Sequence, residues 1–317
     1  MKVVVTDCNF ESFSEERAMC ERNGYTLEIH QCKTPEEVIA IAADADALFV
    51  QYVPITDAVL AALKCCKAIV RYGIGLDNID LAAAHKHNVP VCNVPDYGID
   101  EVADHAAALT LALLRQLPFW DHSIRQYRWP STAPTPMLSC KGMTFAVAGA
   151  GRIGRATLER MHVFGFKLAA YDPFVPEKDL SAIGVEKLSL DELFTKADVL
   201  SLHLPLTKET HHLVNRDRLK SMKKHAILIN TSRGGLIDTY ALAAALDAGD
   251  IGHAGIDVHE KEPMDASHPL KTCQTALLTP HIAYYSAASI VRLQRMAAEE
   301  VERALYGKPL RCQFKIV

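Results

Sequence analysis

The feature that most constrains the fold is a glycine pattern near the middle of the chain. Gly149, Gly151 and Gly154 follow the apolar run Thr144–Ala148, and an amphipathic stretch then leads to a second apolar run that ends at Asp172. A strand, a glycine turn, a helix and a second strand in this order are typical of a dinucleotide-binding βαβ unit. The pattern therefore predicts an α/β fold with parallel strands.

Each glycine has a physical task in such a unit. Gly149 permits a tight turn, Gly151 allows the backbone to approach a pyrophosphate, and Gly154 lets the helix pack on the strand. The free N–H groups at the start of the helix, at Arg152 and Ile153, are expected to face the phosphates. A glycine-rich turn that binds no ligand is the alternative interpretation of the same residues.

Asp172 indicates which dinucleotide is favoured. A carboxylate at this position accepts hydrogen bonds from a ribose diol and repels a 2′-phosphate, so NAD is predicted rather than NADP. A P-loop is excluded, because Gly154 is followed by Arg155-Ala156 and not by Lys and Ser or Thr.

The length, net charge and cysteine content of the chain restrict the classes of protein to which it can belong. At 317 residues two domains are expected, and the net charge of −4 offers no basic footprint for nucleic acid. No apolar run approaches the roughly 18 residues that span a membrane, and Met1–Asp7 predicts a strand and not a signal peptide. The nine cysteines form no CxxC pair, so we expect reduced thiols, a cytoplasmic protein and no metal site. His211-His212 is interpreted as an exposed polar pair.

Short apolar runs alternate with helical patterns from end to end, which predicts two β-α series. The first series has strands at 2–6, 26–30, 47–50, 67–71 and 90–93, and the second at 144–148, 168–171, 199–203, 226–230, 252–257 and 276–279. Capping boxes are predicted at Thr34 and Ser189. One helix is predicted over Glu101–Leu117, an irregular connection over 128–140, and a closing helix over 287–306. Tyr127 and Trp129 are expected to pack at the junction of the two domains.

Three candidates for chemistry follow predicted strands of the second series, where ligands bind in open α/β sheets. Arg233 lies in the stretch NTSRGG and can grip a carboxylate with two parallel hydrogen bonds. The acidic stretch DVHEKEP runs from Asp257 to Pro263, and His281 lies in LTPHIA, where it could transfer a proton. Each has an alternative interpretation when taken alone: a surface arginine, a solvated acidic turn and a hydrogen-bonded loop histidine.

Together these motifs resemble the D-isomer-specific 2-hydroxyacid dehydrogenase family over essentially the full length of the chain. The matching stretches are YGIGLDNID (72–80), GAGRIG (149–154), HLPLTKET (203–210), NTSRGGLID (230–238), DVHEKEP (257–263) and LTPHIA (278–283). The stretch NVPDYGIDEVADH (93–105) is similar to the branch that includes C-terminal-binding-protein relatives.

The resemblance implies a role for each candidate. Arg233 would bind the substrate carboxylate, His281 would be the general acid/base, and Glu262, not Glu260, would pair with His281 and stabilise its imidazolium. Backbone N–H groups of Ile74 and Gly75 and the side chain of Tyr52 would face the substrate. The implied cofactor contacts are Gly149, Gly151, Arg152, Ile153, Gly154, Asp172, His203, Pro205, Thr210, Thr231, Ser232, Arg233, Asp257 and His281.

The resemblance also implies two doubly wound parallel-sheet domains with a cleft between them. Residues 99–283 would form a Rossmann NAD-binding domain, and residues 1–98 with 284–317 a flavodoxin-like substrate domain. The implied protein is a homodimeric, NAD-dependent oxidoreductase that interconverts a D-2-hydroxy acid and its 2-oxo acid. Two alternatives stay open: an NADH-responsive protein-binding scaffold of the corepressor kind, and a dehydrogenase of another small anion such as formate or phosphite. Ala283, Asp96 and Tyr52 depart from the common family pattern and leave the substrate unnamed.

Overall fold

The apolar runs of the sequence become parallel strands of two separate sheets in the computed structural model, which describes residues 1–314. The strands are β1 (Lys2–Val5), β2 (Thr26–Ile29), β3 (Ala47–Val50), β4 (Ala68–Arg71), β5 (Val91–Cys92), β6 (Thr144–Ala148), β7 (Lys167–Tyr171), β8 (Val185–Lys187), β9 (Val199–Leu202), β10 (Ile227–Asn230), β11 (His253–Ile256) and β12 (Ala276–Leu278).

The helices connect these strands. They are α1 (Ser14–Asn23), α2 (Pro35–Ala42), α3 (Asp57–Ala62), α4 (Leu81–Lys86), α5 (Ile99–Leu114), α6 (Leu117–Arg125), α7 (Arg152–His162), α8 (Glu177–Ser181), α9 (Leu190–Lys196), α10 (Arg216–Ser221), α11 (Thr239–Ala248) and α12 (Ala287–Leu305). Short 3-10 helices lie at Gly234–Leu236 and Pro269–Lys271. No helix within residues 1–314 is long and apolar enough to cross a lipid bilayer.

The chain divides into two units. The first unit comprises Met1–Gly98 and the segment that begins at Tyr285, and the second comprises Ile99–Tyr284. The first unit holds the five-stranded sheet, in the order β2-β1-β3-β4-β5, with every pair parallel. This is the flavodoxin-like order. Helix α12 returns to this unit and packs against α1, β3 and β4.

The second unit holds the seven-stranded sheet, in the order β12-β11-β10-β9-β6-β7-β8, again fully parallel. The order reverses at β6, which is the switch point of the Rossmann fold. Successive residues of β6 face opposite sides: Ala146 and Ala148 join one core cluster, and Phe145 and Val147 join the other. The predicted fold class of two doubly wound parallel sheets is confirmed.

Most local predictions agree with the structure to within one or two residues at each boundary, which is the usual uncertainty of element ends. The capping boxes at Thr34 and Ser189 form as predicted, with Glu37 and Glu192 as their reciprocal partners. The stretch 128–140 is irregular, as predicted. Strand β8 was not predicted, because its three residues include a glutamate and a lysine and it lies at the sheet edge.

The helix predicted over Glu101–Leu117 is confirmed over most of its length, but it ends three residues early and is followed by a second helix that was not predicted. Helix α5 ends at Leu114, Gln116 adopts a left-handed conformation with φ of 49°, and α6 starts anew at Leu117. The physical reason is Pro118, which has no N–H and whose ring clashes with the carbonyl group four residues earlier, at Leu114. Proline is tolerated in the first turn of a new helix, and that is where Pro118 lies.

Two further predictions concern a pair of aromatic side chains and the end of the substrate domain. Tyr127 and Trp129 were expected to be packed, but their exposed fractions are 101% and 89%, so these side chains stand in solvent in the single chain. The predicted substrate domain also includes residues 315–317, which lie outside the described residues. All nine cysteines are free thiols, as the sequence predicts.

Candidate active site

The glycine turn between β6 and α7 fits a dinucleotide phosphate. Gly149 has φ of 96°, and a Cβ atom there would lie 2.6 Å from the carbonyl oxygen of His203. A Cβ on Gly154 would overlap the carbonyl oxygen of Gly149. Beside Gly151, in contrast, a Cβ would meet nothing within 4 Å, and no side chain caps the first turn of α7. Open space next to uncapped N–H groups, including those of Arg152 and Ile153, is a cradle that fits an anion.

Asp172 lies just after β7 and is 9% exposed. Its Oδ2 accepts a hydrogen bond of 2.9 Å from the Ala150 N–H, and its Oδ1 accepts from the N–H groups of Phe174 and Val175. The sequence assigned Asp172 to the ribose; the structure adds that this carboxylate holds the glycine turn in place. An ionised carboxylate has about four acceptor positions, so one remains for a ligand hydroxyl.

Three other predicted cofactor contacts lie in the loop after β9. His203 Nε2 lies 2.9 Å from Ser201 Oγ, and burial lowers the pKa of His203 to about 4. The imidazole is therefore neutral near pH 7. The Thr210 hydroxyl donates to the Pro205 carbonyl oxygen at 2.7 Å and accepts from the Thr207 N–H, so Thr210 and Pro205 brace this loop.

The loop after β10 carries Arg233. Asn230, fully buried, donates from Nδ2 to the Arg233 carbonyl oxygen at 2.8 Å and accepts from the Ser232 N–H at 3.0 Å. Ser232 Oγ donates to the Leu204 carbonyl oxygen, which ties this loop to the preceding one. The Thr231 hydroxyl is buried and makes no hydrogen bond with residues 1–314. Sequence reasoning missed Asn230; its signal was a polar residue that ends an apolar strand.

Gly234 brings the Arg233 loop against the acidic loop that follows β11. A Cβ at position 234 would overlap the backbone of His259 and Glu260. Only glycine therefore allows the two loops to approach this closely. The Arg233 guanidinium donates from Nη1 to the Ser232 carbonyl oxygen at 2.7 Å.

His281 and Glu262 form the pair that the sequence predicted. His281 Nδ1 lies 2.7 Å from Glu262 Oε2, and the two side chains are 40% and 38% exposed. Glu262 Oε1 accepts a second hydrogen bond from the His259 N–H at 2.8 Å. Partial burial opposes ionisation of Glu262, but the hydrogen bonds from His281 and His259 outweigh it and lower the pKa of this carboxyl.

Asp257 positions the loop that carries His281. It is fully buried; its Oδ1 accepts from the Thr279 hydroxyl at 2.6 Å and the Ile282 N–H at 2.9 Å, and its Oδ2 accepts from the Ala283 N–H at 3.0 Å. The sequence assigned Asp257 to the cofactor, whereas the structure uses its carboxylate to hold residues 279–283. His105 of α5 contacts the same group, 3.1 Å from Thr279 Oγ1 and 3.6 Å from Asp257 Oδ1. No sequence pattern distinguished His105 beforehand.

Glu260 is directed away from His281. Its Oε1 lies 2.6 Å from His212 Nε2, and its Oε2 accepts from the Thr239 hydroxyl. His211, whose ring stacks on that of His212, completes a group whose nitrogen and oxygen atoms lie within 4.8 Å of one another. His211 is exposed, but His212 is hydrogen-bonded, so the predicted exposed polar pair is only half right.

The predicted substrate-facing residues of the first unit lie at the carboxyl edge of its sheet. Tyr52, 51% exposed, lies in the loop after β3, and Ile74 and Gly75 lie in the loop after β4. Asn78 joins these loops by donating to the carbonyl oxygens of Gln51 and Val53. Asp7 was missed by sequence reasoning. Its buried carboxylate accepts from the N–H groups of Gln51, Tyr52 and Val53 and fixes the Tyr52 loop.

Comparison with known proteins places this site in a family. The family model described as D-isomer specific 2-hydroxyacid dehydrogenase, NAD binding domain, matches residues 107–283. D-3-phosphoglycerate dehydrogenase of Mycobacterium tuberculosis is 40% identical over 276 residues, which cover 86% of this chain and 52% of that protein. Glyoxylate reductase of Thermofilum pendens is 37% identical over 292 residues, which cover 88% of this chain and 85% of that protein.

A solved structure agrees with these relatives. D-lactate dehydrogenase from Aquifex aeolicus, complexed with NAD and lactic acid, has a TM-score of 0.86 and 30% identity, and the match covers 96% of each chain. The chain spans only about half the length of the phosphoglycerate dehydrogenases that it resembles, between 52% and 58%. On the family model and on the glyoxylate reductase match, the chain belongs to the D-isomer-specific 2-hydroxyacid dehydrogenase family.

Proposed function

We propose that this protein is an NAD(H)-dependent oxidoreductase that interconverts a D-2-hydroxy acid and its 2-oxo acid. The observation that carries the proposal is the His281–Glu262 pair, 2.7 Å between Nδ1 and Oε2, in the unit whose β6–α7 turn fits a dinucleotide phosphate. An imidazole hydrogen-bonded to a carboxylate is suited to proton transfer. Membership of a dehydrogenase family implies that this proton transfer accompanies hydride transfer.

The chain's own residues manage the proton. Glu262 accepts a hydrogen bond from the Nδ1–H group of His281, which leaves Nε2 to exchange a proton with the substrate oxygen. In reduction Nε2–H donates to the oxygen of the 2-oxo group; in oxidation neutral Nε2 accepts the hydroxyl proton. Glu262 stabilises the imidazolium in either direction. Bound NADH would supply the hydride to C2 of the 2-oxo acid.

Arg233 is proposed to hold the substrate carboxylate. A guanidinium offers two parallel N–H donors that match a carboxylate, and Asn230 fixes the backbone from which this side chain extends. We assign substrate binding also to the first unit, through the N–H groups of Ile74 and Gly75 and the side chain of Tyr52. The relatives are named for 3-phosphoglycerate, glyoxylate and lactate, so small 2-oxo acids are the substrates to test first.

We assign the cofactor as NAD and not NADP. A 2′-phosphate would bring negative charge to the Asp172 carboxylate, which accepts hydrogen bonds from three backbone N–H groups. NADPH should therefore support turnover at least about tenfold less efficiently than NADH.

A homodimer formed through the second unit is also proposed. Exposed apolar side chains cluster in sequence on α6 and just after it, at Leu117, Ile124, Tyr127 and Trp129. Such a patch is typical of an association surface. Sedimentation at a mass near that of one 34.9 kDa chain would contradict the dimer.

We place the protein in the cytoplasm, where nine free thiols would stay reduced.

The test is NADH oxidation with glyoxylate, pyruvate, hydroxypyruvate, 2-oxobutyrate and phenylpyruvate. His281→Gln should lower kcat/KM by about 10²- to 10⁴-fold and largely spare NADH binding, because the main loss is proton transfer. Arg233→Ala should raise KM and lower kcat together. His162→Gln, an exposed change at the end of α7, is the matched control and should turn over normally. Tight NADH binding without turnover on any acid would favour the scaffold alternative.

A further inference from the structure

Two histidines and a glutamate from two loops of the second unit come together apart from the His281–Glu262 pair. His212 Nε2 lies 2.6 Å from Glu260 Oε1, and the His211 ring stacks on the His212 ring with centroids 3.9 Å apart. One nitrogen of each histidine and one oxygen of Glu260 lie within 4.8 Å of one another. Residues 1–314 contain one such group of three metal-ligand side chains, and we call it the His211–His212–Glu260 group.

The backbone sets the two imidazole rings side by side. His212 is left-handed, with φ of 50°, a conformation that is uncommon for a residue other than glycine. In an extended chain consecutive side chains would point to opposite sides. The His212 N–H donates to the Gly235 carbonyl oxygen at 2.8 Å and the His211 N–H to the Thr207 carbonyl oxygen at 2.9 Å. The main chain that carries both rings is therefore fixed.

A chain of hydrogen bonds orients the Glu260 carboxylate. Its Oε2 accepts from the Thr239 hydroxyl and, at 3.3 Å, from the Thr239 N–H. His268 Nδ1 accepts from the Leu270 N–H at 3.3 Å, so in the neutral ring Nε2 carries the proton and donates to the Thr239 hydroxyl at 3.1 Å. Oε2 is thus held by protein donors, and Oε1 is directed at the histidines. Partners of this kind orient the carboxylate ligands of metal sites.

The donor set indicates the class of ion. Two imidazole nitrogens and one carboxylate oxygen suit divalent transition metals, whereas Mg²⁺ and Ca²⁺ prefer oxygen ligands. Bonds of roughly 2.0–2.2 Å to a tetrahedral ion separate its ligands by roughly 3.3 Å. The contact between His212 and Glu260 therefore has to open by roughly 0.7 Å. The His211 side chain is exposed, and rotation turns its nitrogen toward the same point.

We propose that the His211–His212–Glu260 group binds one divalent transition metal ion, such as Zn²⁺, with solvent completing the coordination. The ion takes the place of the proton between His212 and Glu260, so binding releases a proton and weakens as the pH falls. It links the loop after β9 to the loop after β11. The sequence indicated only a polar pair here, because Glu260 lies 48 residues beyond His212. The proposal does not depend on turnover, since Glu260 is directed away from His281.

Calorimetric titration of the full-length chain with Zn²⁺ tests the site. The wild type should bind one ion there, and excess Mg²⁺ should not displace it. His211→Ala and Glu260→Gln should each weaken binding at least about tenfold, because even loss of a partner that orients a ligand has an effect of that size. His162→Gln removes an exposed histidine elsewhere and is the matched control, which should bind as the wild type does. Co²⁺ in place of Zn²⁺ should give no thiolate charge-transfer band, which excludes the cysteines as ligands.

A second pair of variants guards against a loop disturbed by Glu260→Gln. Thr239→Val keeps all three ligands but removes the hydroxyl that orients Glu260, and the affinity for Zn²⁺ should fall about 10- to 100-fold. Thr239→Ser restores the hydroxyl and should restore the affinity, while circular dichroism confirms that both variants fold. The proposal is overturned if the wild type does not bind Zn²⁺ at micromolar concentration, if His211→Ala binds as tightly as the wild type, if Mg²⁺ displaces the ion, or if bound Co²⁺ shows the thiolate band.

Discussion

Two buried aspartates, one in each unit, perform the same structural task with different consequences. Asp7 follows β1 and holds the loop after the neighbouring strand β3 by accepting three backbone N–H groups. Asp257 follows β11 and holds the loop after the neighbouring strand β12 by accepting two backbone N–H groups and one hydroxyl. In both cases a buried carboxylate at the carboxyl edge of a parallel sheet accepts several hydrogen bonds and anchors an adjacent loop.

The difference lies in what each loop displays. The Asp7 loop presents the half-exposed Tyr52, an amphipathic side chain suited to contact. The Asp257 loop presents His281, whose backbone is left-handed with φ of 54° and whose ring is held by Glu262. We therefore propose that equivalent anchors serve substrate binding in one sheet and proton transfer in the other. The two units share an aspartate that anchors a loop, and they differ in the side chain that the loop displays.

The sharpest test of this comparison is to replace each anchor by asparagine. Asp257→Asn and Asp7→Asn should each lower the free energy of unfolding by about 2 to 3 kcal/mol, since an amide leaves a buried N–H donor facing another donor. Only Asp257→Asn should also lower kcat, by about 100-fold, because displacement of His281 disrupts the geometry of proton transfer.

Asp7→Asn should act mainly on KM and keep kcat within about threefold of the wild type. Urea unfolding and steady-state kinetics on both variants provide the comparison. Equal losses of kcat in the two variants would show that the anchors do not differ in the way described.

A further effect concerns pH and the second unit. The pKa of His203 is about 4, whereas an unfolded histidine titrates near 6.5. Between these values only the unfolded chain takes up the proton, so the stability contributed by neutral His203 is present above pH 6.5 and is lost as the pH falls toward 4. The loss amounts to about 3 kcal/mol.

His203→Gln should remove this component from the pH dependence of unfolding. Fluorescence of Trp120 and Trp129, the two tryptophans of the chain, follows the second unit. The exposed control His162→Gln should behave like the wild type, and a variant at position 203 with an unchanged pH slope would contradict the assignment.

The smallest effect has the opposite sign and lies in the first unit. Burial raises the pKa of Glu16, although hydrogen bonds from Tyr72 and Gln294 oppose that rise. A raised carboxyl pKa means that the folded state holds the proton more tightly. The stability it contributes is full at low pH and is lost as the pH rises through the raised pKa.

Glu16→Gln stays neutral at every pH and should flatten this decline. Circular dichroism during urea unfolding at a series of pH values from 4 to 7 measures it, since tryptophan fluorescence does not report on this unit. If the wild type gained stability relative to the variant as the pH rose, the ionised carboxylate and not the protonated one would be the native form.

The sequence by itself determined the structural elements that depend only on residues close to one another in the chain. Period-two and continuous apolar runs indicated strands, Thr34 and Ser189 indicated helix starts through their own hydroxyls, and the spacing of Gly149, Gly151 and Gly154 indicated the nucleotide turn. Arg233, Glu262 and His281 were found because each follows a strand and because together they resemble a family motif.

Only the tertiary structure decided which polar groups meet. Two of the residues that were missed, Asp7 and His105, bind partners more than 25 residues away in the chain, and the third, Asn230, acts within a buried turn. The periodicity of the sequence gives no sign of such contacts. Pro118 indicates a helix boundary, but only the structure shows that Gln116 becomes left-handed and that a second helix begins at Leu117. Interactions between residues close in sequence determine where strands and helices can begin and end. The residues that anchor a loop depend on which strands are neighbours, and strand order is decided only by the packing of the whole sheet.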